Sequence, residues 1–246
     1  MGLLGWTFFK KKDKHTLFIS LLSNISFAYL FEYLVLNLFQ GYHYKPRFLK
    51  NPRLDNIFGA VLSQAIYVPS TSLFLTAFRA NWGIRMIFVI YFVTIEYIFI
   101  KLKIYKTKWW SPFFTFIGIP IHFFLSDLWY KYLKKGTPLV LSISLFNMIV
   151  VTSSNILFLL AVLRKFKFGI GSYHTWYEHF VITPLYSILF SVVATSTLKV
   201  GDWSSKVKVF LFALLLDTIA RKNNILNKNS LVMIVAHICV IYASSI

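Results

Sequence analysis

An all-α fold, a polytopic bundle of about eight membrane-spanning helices (seven or eight), is what this sequence predicts, and three observations carry it. The chain of 246 residues is 57% hydrophobic with a mean hydropathy of +0.65, above the roughly 45–50% apolar usage of soluble domains. Its apolar residues run in blocks of about twenty, the length that crosses a bilayer's hydrocarbon. The tryptophans, Trp6, Trp82, Trp109, Trp110, Trp129, Trp176 and Trp203, stand at block edges, the headgroup level that indole prefers.

The blocks cover about 16–39, 57–78, 86–103, 110–130, 138–163, 177–198, 207–220 and 230–245. Lipid offers no partner to an open backbone group, so apolar runs of this length form helices. The first follows a basic N-terminal segment, 1–15, and is too long for a cleaved signal, so it reads as an uncleaved span. Gly2 lacks the Ser or Thr at position 6 that myristoylation needs; Trp6 stands there. Pro69 in the second block and Pro184 in the sixth remove a backbone donor and should kink the helix or widen a turn. The seventh block is the weakest, short and carrying Asp217. No connection exceeds about twenty residues, which leaves a single integral membrane domain, 1–246, with halves at 16–131 and 138–246. Cys239 is the only cysteine, so no intrachain disulfide forms, and it reads as a small buried apolar residue.

The formal net charge is +18, from 26 Lys and Arg against eight acids. The cations sit in short clusters between apolar blocks, which fits anionic lipid headgroups and not nucleic acid. With eight spans, the loops after the first, third, fifth and seventh helices hold 14 cations and the other side holds 12. That split does not orient the chain; the compact cluster Lys10, Lys11, Lys12 and Lys14 leans towards a cytoplasmic N-terminus.

Two stretches resemble each other. "EYLVLNLFQGYHYK" (Glu32 to Lys45) and "EYIFIKLKIYKTK" (Glu96 to Lys108) share Glu-Tyr, an apolar stretch, then Tyr and Lys, and "QGYHYK" echoes "GSYHTW". A degenerate helix-pair repeat of the kind seen in transporters is one reading, and chance in an alphabet rich in Ile, Leu, Tyr and Lys is the other.

Acids are costly inside a bilayer and therefore informative. Asp13, Asp127 and Asp202 fall on the N-terminal side, whereas Glu32, Asp55, Glu96, Glu178 and Asp217 fall towards the opposite face, with His43, His174 and His179 in its loops. One reading is a polar vestibule lined by Glu32, Glu96 and Asp217. The other is interfacial ion pairing, with Arg221 serving Asp217 and Lys103 serving Glu96.

The stretch "SYHTWYEHF" (Ser172 to Phe180) gathers His174, Glu178 and His179. The zinc-peptidase motifs are H-E-x-x-H and H-x-x-E-H, and this stretch is one residue too long for the second. On one helix His179 swings away from the face shared by His174 and Glu178. No metal site is expected, and a His174–Glu178 hydrogen-bonded pair titrating near neutral pH is. His122 and His237, in mid-block, read as interhelical hydrogen-bond donors. "LLLDTIARK" lacks the glycine and later aspartates of the CDP-alcohol phosphotransferase motif. No P-loop, dinucleotide fingerprint, nucleophile elbow or cysteine-rich metal pattern occurs, and no cofactor is expected.

At "FEYLVLNLFQGYHYKPRFLKNPRLDNIFGAVLSQAIYVPSTSLFL", Glu32, the Tyr42–Lys45 turn, Asp55, Gly59 and Pro69 carry a likeness over about the first half of the chain. The chain resembles small multi-pass membrane proteins of unknown function from spore-forming Gram-positive bacteria. That resemblance implies a cytoplasmic-membrane location and no particular activity.

The leading expectation is a non-enzymatic carrier or channel-type protein, or a subunit of one. Its substrate or ion path is lined by Glu32, Asp55, Glu96, Glu178 and Asp217, and His43, His174 and His179 are proton-linked. Its partners are the lipid bilayer, anionic headgroups and other copies or subunits in the membrane. Two alternatives stand beside it: a non-catalytic scaffold working through helix contacts, and an intramembrane enzyme using His43, His174, Glu178 and His179.

Overall fold

The computed structural model describes residues 2–170, 174–199, 202–227 and 230–244. Among these residues the fold is all-α, and its long helices begin where the chain supplies a cap. The first element, α1 (Gly2–Lys10), lies where the sequence suggests only a basic segment. It is anchored by fully buried Thr7 and by Lys11, whose ammonium lies 4.3 Å from the Phe78 ring centroid. Asp13 then accepts the Thr16 N–H at the start of α2 (Lys14–Leu38). Asn51, followed by Pro52, caps α3 (Pro52–Ala77), and Asn81 caps α4 (Trp82–Lys101). Ser111 precedes α5 (Pro112–Lys134), and α6 (Pro138–Val162) again starts on proline. Thr175 and Glu178 form a reciprocal capping box on α7 (Trp176–Leu198), and Asp202 caps α8 (Trp203–Lys222). The last helix is α9 (Ser230–Ala243).

Six of these, α2 to α7, are long and apolar enough to cross a membrane, which makes this a multi-pass membrane protein. Helix α8 has 20 residues but carries Lys206, Lys208, Asp217, Arg221 and Lys222. Helix α9 has 14 residues and reaches only ~21 Å at 1.5 Å per residue, against ~30 Å of hydrocarbon. Outward faces are strongly apolar: Ile87, Ile90 and Tyr91 of α4 and Phe113, Ile121 and Phe124 of α5 are exposed, as suits helices facing lipid. Cys239 is exposed, not buried, because it shares the outer face of α9 with Val235 and Tyr242.

The chain divides into two compact units, Met1–Leu141 and Ser142–Ile246. In the first, a polar seam ties four helices together. Asn24 of α2 donates to Ser126 Oγ of α5 at 3.0 Å, and Thr76 of α3 donates to Asp127 Oδ1 at 2.6 Å. Arg85 of α4 completes the seam with an ion pair to Asp127 at 2.9 Å. Small hydroxyl and amide side chains let helices approach closely while bonding across the interface. The second unit closes on an apolar core of Ile149, Phe190, Ala194, Val209, Ala213 and Val240, in which the two alanines bring α7 and α8 together.

Two helices carry a π-helical turn. Tyr33–Leu38 begins directly after Glu32, and Leu62–Tyr67 contains Gln64. The second lies just before Pro69: the Val68 N–H reaches back to the Ser63 carbonyl, and the widened turn absorbs the clash of the proline ring with residue 65.

Where loops are expected, the structure has two short antiparallel ribbons. In the first unit β1 (Tyr42–Tyr44) pairs with β2 (Tyr105–Thr107), with Tyr44 opposite Tyr105. In the second, β3 (Lys167–Phe168) pairs with β4 (Leu226–Asn227), with Phe168 opposite Leu226. The two similar stretches that begin at Glu32 and Glu96 are thus hydrogen-bonded neighbours, each a helix end running into a strand.

The two ribbons are built alike. Lys103 and Asn224 adopt φ of 57° and 55°, each two residues ahead of Tyr105 and Leu226. Gln40 and Arg164, at φ of 49° and 55°, each stand four residues ahead of Tyr44 and Phe168. The Lys45 N–H donates to the Ile104 carbonyl, as the Gly169 N–H does to that of Ile225. Even the strand amides are held from the following helix: Asn56 Oδ1 accepts the Tyr44 N–H at 2.7 Å, and His179 Nδ1 accepts the Phe168 N–H at 3.0 Å.

Candidate functional site

The eight acids sort by what they hold. Asp13 and Asp202 cap helices, and Asp127 is paired with Arg85. Asp55 is buried and turned into its own loop, where it accepts the backbone N–H groups of Arg47, Phe48 and Leu49 at 2.8–2.9 Å. Glu178 accepts the Thr175 N–H at 2.8 Å within the capping box, so its carboxylate serves the helix start and is not hydrogen-bonded to His174. Three acids are left inside helices: Glu32, Glu96 and Asp217.

Glu32 is 6% exposed and lies among α2, α3 and the first ribbon. Its Oε2 accepts from the Tyr42 hydroxyl at 2.6 Å and from Gln64 Nε2 at 3.0 Å. Its Oε1 is buried and has no hydrogen-bond partner among the described residues. The two π turns bracket this contact, one starting at the residue after Glu32 and the other holding Gln64. A π turn inserts one residue and re-aims the side chains around it, and such turns recur at functional sites.

Around Glu32 stand buried Tyr42 and Tyr105 and part-buried Tyr44, with Tyr42 packed at 5.0 Å from Tyr105 and 5.6 Å from Tyr44 between ring centroids. Burial pushes all three hydroxyls up from their usual range, and the negative charge of Glu32 adds to the shift. Glu96 also acts on Tyr44 and Tyr105, so both carboxylates border the same tyrosine group. These phenols therefore stay protonated, and that of Tyr42 serves as a donor to Glu32. The carboxyl of Glu96 is near Thr115, and neither of its buried oxygens makes a hydrogen bond of ordinary geometry.

In the second unit Asp217, Tyr186 and His237 close a three-membered cluster from α8, α7 and α9. Tyr186 donates to Asp217 Oδ1 at 2.6 Å, His237 Nε2 lies 3.1 Å from Asp217 Oδ2, and Tyr186 Oη lies 3.2 Å from the same nitrogen. Asp217 and His237 are each 3% exposed. With Asp217 ionised, His237 Nε2 faces Oδ2 as a donor while Tyr186 serves Oδ1, so each carboxylate oxygen has its own polar partner. The Arg221 that sequence offers as the partner of Asp217 leaves its Nε without a hydrogen bond among the described residues. Asp217 stands nine residues before Leu226, as Glu96 stands nine before Tyr105.

The loop histidines are placed differently. His43 on β1 has Nδ1 3.4 Å from Asn56 Nδ2; burial, then the charges of Lys108, Arg53, Lys45 and Lys106, lower its pKa from the ordinary value. His179 is fully buried among Phe166, Phe168, Trp176 and Phe180, with Thr183 3.3 Å from its Nδ1. His174 packs against Gly169, where a Cβ would stand 2.6 Å from the His174 Cα; its ring nitrogens have no hydrogen-bond partner among the described residues. Ser172 and Tyr173 of the same stretch lie outside the described residues. His237 makes the interhelical bond its position suggests, whereas His122 Nε2 is buried without a partner among the described residues. Among the described residues no group of three or more His, Cys, Asp or Glu side chains is placed to hold a metal ion.

Tyr42, Gln64 and Tyr186 are thus partners that the sequence does not single out, and His237 is singled out without its acid, because only helix packing and ribbon register bring these groups together. Comparison with protein-family models, curated proteins and solved structures returned no match.

Proposed function

We propose that this protein is a small carrier or channel-type membrane protein of eight spans, built from two copies of one four-helix unit. In each unit, buried carboxylates hold a proton or a monovalent cation in exchange with water. The single observation behind this reading is Glu32: a helical carboxylate 6% exposed, held by a phenol and an amide with one oxygen unpartnered. An ionised carboxylate that deep costs several kcal/mol unless a proton or cation neutralises it. The Asp217–Tyr186–His237 cluster supplies a second such position, a buried carboxylate with a phenol and an imidazole against its two oxygens.

Support for the duplication comes from the ribbons, where the same φ values, backbone bonds and acid-to-strand spacing recur. Support for an additional span comes from α8, whose charges lie near its ends apart from Asp217, which the cluster occupies.

The test is ion flux in proteoliposomes under an imposed potential, read with an entrapped pH dye and with labelled sodium. The wild-type chain carries current of one of these ions, and Glu32→Gln or Asp217→Asn lowers it at least tenfold. Transport that survives both substitutions, or a wild-type protein that moves neither ion, favours the scaffold instead.

A further inference from the structure

The segment joining β1 to α3 borders an open cavity of about 570 Å³ whose lining includes His43, Lys45, Arg47, Lys50 and Arg53. Its only acid is Asp55, and that carboxylate is already spread over three backbone N–H groups of the same loop. The cavity is therefore strongly positive, and the lowered pKa of His43 reflects burial together with that cationic surround. Arg47 takes φ of 64°, a left-handed turn that folds the chain around the Asp55 carboxylate.

The cavity opens where α3, a helix long and apolar enough to cross a membrane, begins. Beside the cations, Phe48 is 74% exposed, its ring edge-on to Phe58 at 5.7 Å. A free anion has no use for an exposed phenyl ring at the rim. A lipid does, because its phosphate meets the cations while its glycerol and upper chains meet the ring.

We propose that this cavity is a binding site for the phosphodiester headgroup of an anionic glycerophospholipid. Arg47, Lys50 and Lys45 receive the phosphate, and Phe48 packs against the glycerol region.

The test uses the full chain, purified and stripped of lipid, with retention of phosphatidylglycerol, phosphatidylcholine or inorganic phosphate measured by native mass spectrometry. Phosphatidylglycerol is retained at least tenfold over phosphatidylcholine, and the Arg47→Gln/Lys50→Gln variant loses that preference. Phe48→Ala weakens phosphatidylglycerol severalfold while leaving inorganic phosphate unchanged. A charge-matched control, Lys10→Gln/Lys12→Gln, keeps the preference. Equal retention of the two lipids, a preference that survives Arg47→Gln/Lys50→Gln, or one lost equally in the control overturns the site. Competition by inorganic phosphate with no effect of Phe48→Ala makes it a free-anion site and overturns the lipid assignment. Glu32→Gln leaves all of these readouts unchanged, which separates this site from the ion path.

Discussion

The Tyr42 hydroxyl donates to Glu32 Oε2 at 2.6 Å, joining the first residue of a ribbon strand to a carboxylate ten residues earlier in a membrane-spanning helix. Between them lie a π turn and Gln40 at φ 49°, which together bring the strand back over the helix end. The bond therefore reports on the ribbon, the π turn and the buried acid together.

Removing that donor tests the relationship. Tyr42→Phe keeps the ring packing against Tyr105 and leaves Gln64 as the donor to Glu32 among the described residues. A buried acceptor that loses its donor costs about 1–3 kcal/mol. Unfolding in detergent micelles should show that loss in Tyr42→Phe and recover most of it in Tyr42→Phe/Glu32→Gln. Unchanged stability in the single variant contradicts the assignment.

Gly59 is required by the same ribbon. A Cβ there would stand 2.5 Å from Tyr44 Cβ and 2.9 Å from its Cγ, neither of which is a flexible chain end. Gly59→Ala should lower stability by about 1–3 kcal/mol through overpacking. Gly118→Ala, where nothing lies within 4 Å, should raise it by up to about 1 kcal/mol through helix propensity. Thermal unfolding of the two variants side by side reads opposite signs.

The first long helix depends on its cap. Burial raises the Asp13 carboxyl, but hydrogen bonds from Thr16 and the charges of Lys134 and His15 outweigh it, so its pKa lies below the ordinary value. A carboxyl depressed in the folded state adds stability above its unfolded value, ~3.9, and loses it as pH falls through the folded value. Asp13→Ala should cost about 1 kcal/mol near neutral pH, as for other caps. The gap between variant and wild type should narrow as pH drops below about 4, as unfolding transitions recorded across that range can show.

How much of this was legible in the sequence differs by level. The positions of the six long apolar helices were, because a bilayer demands continuous apolar runs, whereas α1, with Trp6 in its middle, was not. The burden on acids was half legible: Glu32, Glu96 and Asp217 stood out as helical, yet Asp55 and Glu178 looked alike as site candidates and turned out to hold backbone amides. Thr175-x-x-Glu178 is a capping box readable from spacing alone. The partners were not legible. Tyr186 reaches Asp217 across 31 residues and Gln64 reaches Glu32 across 32. Nor do π turns announce themselves, since one extra residue in a helix leaves no mark in composition. The ribbons left a trace only as the likeness between the stretches starting at Glu32 and Glu96.

In the proposed carrier, Glu32 and Asp217 exchange a proton or a monovalent cation while buried. Infrared difference spectra of the protein in lipid, recorded as pH and sodium concentration are varied, test it most directly. Two carboxyl signals should respond to one of these variables, one missing in Glu32→Gln and the other in Asp217→Asn, while Asp202→Asn removes neither. Difference spectra that are identical in the wild type, Glu32→Gln and Asp217→Asn would contradict it.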